Sequence, residues 1–122
     1  MKLIKLTPNL DDRNSCTVNA LSTATGMPWY GAQALLASYG RRRNKGMAWY
    51  PLLKAYTDTL KTEYVMFWSW EKPTLAQFVR NNPKGKFIVR VSGHVLVVED
   101  GIQHDTFLNG ARRRVMGYWP VK

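Results

Sequence analysis

The stretch Gly93-His94-Val95-Leu96-Val97-Val98-Glu99-Asp100-Gly101 constrains the fold more tightly than any other part of the chain. In a strand, His94, Leu96 and Val98 share one face, while Val95, Val97 and Glu99 share the other. Both faces are apolar through the middle, which predicts a central strand rather than an exposed edge. Asp100-Gly101 is a strong hairpin turn. It sends the chain back antiparallel through Ile102 to Thr106. Lys86 to Val91 before it, and Arg113 to Val121 after the Asn109-Gly110 loop, read as further strands. The last third is thus expected to form a small antiparallel sheet.

The first two thirds are patterned differently. Thr7 to Ser15 is rich in Pro, Asn and Asp and reads as loop. A helix is predicted from Cys16, with Ser15 or Asn14 as N-cap and Gly26 as its end. Trp29 to Tyr39 predicts a second helix closed by Gly40. Met47 to Tyr56 predicts a short helix or turn, and Thr74 caps a helix over Leu75 to Asn81. Met1 to Leu6 is a candidate edge strand, and Thr62 to Trp70 a candidate strand. Helices first and strands afterwards predict an α+β layer fold, residues 1–122 forming one domain.

There is a single cysteine, so no internal disulfide can form and a cysteine-rich zinc site is excluded. The apolar run in residues 1–6 stops at Thr7-Pro8, too short for a secretory leader. No stretch approaches the roughly 20 apolar residues of a membrane span. These features predict a cytoplasmic protein. No GxxxxGK[ST] or GxGxxG motif is present, so no nucleotide cofactor is expected, and no metal or other cofactor is predicted.

Cys16 carries the chemical interest. A thiol attacks only as its thiolate. A helix N-terminus stabilises that anion through unpaired N–H groups, and a neighbouring imidazole does so more strongly. Taken alone, Cys16 is more simply a structural core residue. His94 at the end of an apolar strand would lie at the rim of the core, where a cleft can form. Pairing about Asp100-Gly101 sets Ile102 beside Glu99 and Asp105 near the level of Leu96 and His94. A carboxylate there would hold the imidazole tautomer and stabilise the imidazolium. His104 points to the opposite face, so Asp105 is the better partner. The Cys16 backbone N–H is one oxyanion donor. Asn14 is the nearest side-chain candidate for a second, with Asn9 behind it.

Arg13-Asn14-Ser15-Cys16-Thr17-Val18-Asn19-Ala20-Leu21, Gly40-Arg41, Gly93-His94-Val95 and His104-Asp105-Thr106 together resemble a group of small papain-like cysteine peptidases from bacteriophage and bacterial genomes. The resemblance runs from about residue 10 to Tyr118-Trp119. It implies a minimal papain-like fold with nucleophile Cys16, base His94 and orienting Asp105. It carries over no substrate; the expected chemistry is acyl transfer on a peptide, isopeptide or amide bond of a host or viral protein, in the host cytoplasm if the protein is phage-encoded. Papain has a glutamine six residues before its nucleophile. Leu10 stands at that position here.

The formal charge of +10 supplies a competing expectation, since so positive a field attracts nucleic acid or acidic proteins. Arg41, Arg42, Arg43 and Lys45 form one basic cluster, and Arg112, Arg113 and Arg114 another. Trp49, Tyr50, Tyr118 and Trp119 lie near them in sequence as candidate stacking groups. The alternative function is therefore a non-enzymatic basic binding protein on a degenerate papain-like fold.

Overall fold

A computed structural model describes residues 2–122. Met1, part of the expected first strand, lies outside the described residues. The element order is β1 (Leu3–Lys5), α1 (Cys16–Thr25), α2 (Trp29–Ser38), α3 (Trp49–Leu60), β2 (Val65–Met66), α4 (Leu75–Asn81), β3 (Lys86–Val91), β4 (His94–Glu99), β5 (Ile102–Asp105) and β6 (Val115–Val121). The architecture is α+β, with a six-stranded sheet in the order β1-β5-β4-β3-β6-β2.

β4 is interior, as its two apolar faces require. Val95 and Val97 pack with Val18, Leu21, Ala32, Leu36, Leu52 and Tyr56 of the first three helices. Leu96 and Val98 pack with Leu75 and Phe78 of α4, together with Val89, Val91 and Val115. Each face of the strand thus has its own hydrophobic core, and all four valine and leucine side chains are buried. At about 1.5–3 kcal/mol for each buried aliphatic side chain, this one strand anchors both layers.

The sheet is mixed, not purely antiparallel, and extends beyond the C-terminal third. β1 joins β5 in parallel, with Leu3 opposite Gln103 and Lys5 opposite Asp105. β2 adds to β6 at the far edge. The reason is edge protection: β5 would otherwise expose a row of unpaired backbone groups. A three-residue strand carries no local sign of so distant a partner. The predicted strand over Thr62 to Trp70 shrinks to two residues. After Phe67 N–H donates to the Met116 carbonyl (3.0 Å), the chain turns, and Glu71 N–H bonds the Trp68 carbonyl (3.0 Å). At Gly117 a side chain would stand 2.1 Å from the Tyr64 hydroxyl, so the β2–β6 crossing needs a glycine.

The helices follow the sequence closely. α1 ends at Gly26 in the left-handed conformation. α4 begins with a full capping box, Thr74 Oγ1 accepting from Gln77 N–H and Gln77 Oε1 accepting from Thr74 N–H. α3 runs four residues past Tyr56 to Leu60. Thr57, Asp58 and Thr59 are weak helix formers, so local pattern gives no reason to extend it.

One buried ion pair fastens the loop before α1 to the loop after α2. Arg41 grips Asp12 with both nitrogens, Nη1 to Oδ2 at 2.9 Å and Nη2 to Oδ1 at 2.8 Å. Nη1 also donates to Gln33 Oε1, and Asn44 N–H donates to Asp12 Oδ1 (2.8 Å). The Arg41 side chain is wholly buried. Arg41 therefore cannot contact phosphate, which corrects its assignment to a nucleic-acid surface. Removing one partner strands the other charge. Asp12→Ala is expected to cost about 3–5 kcal/mol in urea unfolding. Arg42→Ala, at an exposed position, should stay within about 0.5 kcal/mol.

Candidate active site

Cys16 is the first residue of α1. Asn14 has φ 57°, a left-handed turn that swings the chain into the helix. Ser15 occupies the N-cap position, yet its hydroxyl makes no capping bond. The opening turn of α1 therefore has no side-chain acceptor on its N–H groups, and the dipole end faces the thiol. Tyr56, fully buried, ties this turn down from below by donating to the Thr17 carbonyl (2.5 Å).

The hairpin β4–β5 brings the other two groups. Val97 pairs with His104 and Glu99 with Ile102, which continues to set Asp105 level with Leu96. Beyond Asp105 the chain leaves the sheet, and β4 continues toward His94 paired only with β3. His94 Nε2 bonds Asp105 Oδ2 at 2.5 Å. With Nε2 engaged, Nδ1 is the ring nitrogen left for the thiol, and the two groups lie close enough for each to shift the other's pKa. The backbone N–H of Val95 also points at the sulfur. Cys16, His94 and Asp105 are thus brought together from three elements.

The electrostatics follow from these contacts. Burial pushes the Cys16 thiol up. The His94 hydrogen bond, the Val95 N–H and the imidazolium charge pull it down, against a smaller upward push from the Asp105 charge, and the balance lies below the ordinary thiol value. For His94, burial pushes down, but the Asp105 hydrogen bond, the Cys16 hydrogen bond and the two negative charges raise it to about 9. The contact thus favours the thiolate and the imidazolium together.

Behind Asp105 lies a buried polar network that sequence reasoning missed. Asn109 Nδ2 donates to Asp105 Oδ2 (2.8 Å), and Thr106 N–H to Oδ1 (2.7 Å). Gln103, fully buried, accepts from Asn109 N–H and Nδ2, both at 3.1 Å. Arg113 donates to Asn109 Oδ1 (3.0 Å) and to the Ser92 carbonyl (2.7 Å). Leu6 N–H caps the Asp105 carbonyl (2.6 Å). Asn109-Gly110 reads in sequence as a simple turn. The one available clue is Gln103, a polar residue on the same strand face as Asp105. Phe107 lies over His94, ring centroids 5.0 Å apart.

The expected oxyanion donor Asn14 is turned elsewhere, its Nδ2 donating to the Asn44 carbonyl (3.1 Å). Asn9 accepts the Asp11 N–H at its Oδ1 (2.9 Å), and its Nδ2 has no hydrogen bond among the described residues. Asn9 lines the same cleft as Cys16. Two cavities meet at the thiol. One, of about 170 Å³, is lined by Thr17, Met47, Trp49, Leu52 and Arg90. The other, an open cleft of about 660 Å³, is bounded by the loop 8–15 and Phe107. Cys16, Gly46, Gly93 and His94 border both.

The basic clusters are dispersed. Arg41 is buried, and Arg113 serves the Asn109 network. Arg43 Nε donates to the Asp11 carbonyl and Arg114 to that of Lys72. Arg42, Lys45 and Arg112 are exposed. Trp119 is fully buried and cannot stack on a base, while Tyr118 packs against Phe67, Phe78 and Phe87. Among the described residues, no helix is long and apolar enough to cross a membrane. Comparison with protein-family models, curated proteins and solved structures finds no match to this chain.

In His94→Ala, burial acts on the thiol with only the Val95 N–H against it. Alkylation of Cys16 by iodoacetamide at pH 7 should then fall by roughly 10–100-fold, one pKa unit being worth tenfold in thiolate. Asn109→Ala should slow it by a smaller factor, about 2–5-fold, because Asp105 remains but is less firmly aimed. Equal rates in all three proteins would refute the assigned geometry.

Proposed function

We propose that this chain is a papain-like cysteine hydrolase, with Cys16 as nucleophile and His94 as acid and base. The observation that carries it is the position of the His94 ring, bonded to Asp105 and bordering the same cleft as a thiol held at a helix start. Asp105 and Asn109 are positioning residues: the carboxylate fixes the imidazole, and the amide fixes the carboxylate.

The chemistry runs from that ion pair. The Cys16 thiolate attacks a substrate carbonyl carbon, forming an S–C bond and a tetrahedral oxyanion. The Cys16 backbone N–H, free of any side-chain cap, donates to that oxygen, and the Asn9 amide is the nearest side-chain group in the cleft with a free donor. The His94 imidazolium gives its proton to the departing amine as the C–N bond breaks, leaving a thioester. His94, now neutral, takes a proton from water, which attacks the thioester and releases the acid. The open cleft admits an extended chain on one side of the sulfur, and the small cavity receives one side chain on the other. An amine taking the place of water would give transfer instead of hydrolysis.

Hydrolysis of a peptide library should vanish in Cys16→Ala and drop by at least about 100-fold in His94→Ala. The pH profile of kcat/KM should have an alkaline limb near 9, where His94 loses the proton it must donate. Its acid limb should fall below the ordinary thiol range, where the thiolate is protonated. Activity that persists in Cys16→Ala, or that keeps rising through pH 10, would sink this assignment.

A further inference from the structure

Arg90 is a charge on a face that should be apolar. Along β3, Ile88 and Arg90 share a face, and Ile88 lies in the core beneath α1–α3. Arg90 pairs with Val95, whose N–H points at the Cys16 sulfur. Its guanidinium lies 3.8 Å above the Trp49 ring, a stacking that locks the long side chain in place. Its hydrogen bond to the Tyr64 hydroxyl is long, 3.5 Å. Among the described residues the ion pairs are Arg41–Asp12, Lys54–Asp58, Lys86–Glu99 and His94–Asp105, so Arg90 has no carboxylate.

That unpaired cation forms a wall of the cavity of about 170 Å³ beside the nucleophile. The other walls are mainly apolar: Met47, Trp49, Leu52, Val91 and Val95. A half-buried guanidinium in such surroundings favours a planar anion with two oxygens over water. The net charge of +10 adds a field that draws in anions from a distance.

We infer that Arg90 is a specificity determinant and that the pocket beside Cys16 takes a carboxylate of the substrate. The inference rests on Cys16 being the nucleophile, and it names the substrate class. The carboxylate comes from an Asp or Glu side chain or from a free peptide C-terminus.

Paired alkylating agents test it. Iodoacetate and iodoacetamide react alike, the thiolate displacing iodide, and differ by one carboxylate. The ratio of their rates at Cys16 should be raised by the imidazolium and raised further by Arg90. It should fall about fivefold or more in Arg90→Met and be largely kept in Arg90→Lys. Arg42→Met, which changes the net charge equally at an exposed remote site, should leave the ratio unmoved. A ratio unchanged in Arg90→Met overturns the inference while leaving the nucleophile intact. Slow reaction with both agents, no faster than free cysteine, overturns the nucleophile itself. In wild-type protein, peptides with Glu against Gln, and with a free C-terminus against an amide, identify the source. Indifference in both pairs also overturns the inference.

Discussion

Everything near the thiol depends on one strand having to be covered on both faces while its neighbour stops short. β4 buries Val95 and Val97 under α1–α3 and Leu96 and Val98 under α4. β5 accompanies it only as far as Asp105, where the chain turns away. The start of α1 comes to the uncovered end of β4, placing Cys16 against the Val95 N–H and the His94 ring. Packing positions Cys16, and the hairpin positions His94. β1 secures the arrangement by occupying the free edge of β5, with Leu6 N–H holding the Asp105 carbonyl.

The site sets two large effects against each other. Burial disfavours both the thiolate and the imidazolium, and their mutual hydrogen bond and charge favour both. The second effect wins because His94 is itself backed by Asp105, which Asn109, Gln103 and Arg113 hold in place. Linkage to folding then takes an unusual form. His94, raised, stabilises the fold fully below its ordinary value of 6.5 and loses that contribution as pH rises through about 9. Cys16, lowered, contributes above its ordinary value and loses that contribution as pH falls through its native one. The two contributions therefore change with pH in opposite directions.

The strands and helices that neighbours in sequence define were legible in advance. Val95 to Val98 announced a central strand, Asp100-Gly101 the hairpin, Thr74 its helix, and Gly26 the end of α1. The order Cys16, His94, Asp105 was also legible, since each belongs to an element whose local signal is strong. What escaped were pairings between distant segments. Leu3–Lys5 carried no mark of its parallel partner, and nothing in Arg-Arg-Arg-Asn-Lys separated buried Arg41 from exposed Arg42. Asn109 looked like a turn residue because its task, holding a carboxylate, arises only after folding. The same holds for Asn14, which sequence proximity nominated and the loop at Asn44 claimed.

The central claim is that His94 and Asp105 turn a half-buried thiol into a thiolate. Direct titration of Cys16 tests it, read from ultraviolet thiolate absorbance with Cys16→Ala as the blank. The midpoint in the wild-type protein should lie below the ordinary thiol range of about 8.5–9. In His94→Ala it should move above that range, because burial is then opposed only by the Val95 N–H. A wild-type midpoint at or above the ordinary value, or one that His94→Ala fails to move, would contradict the account.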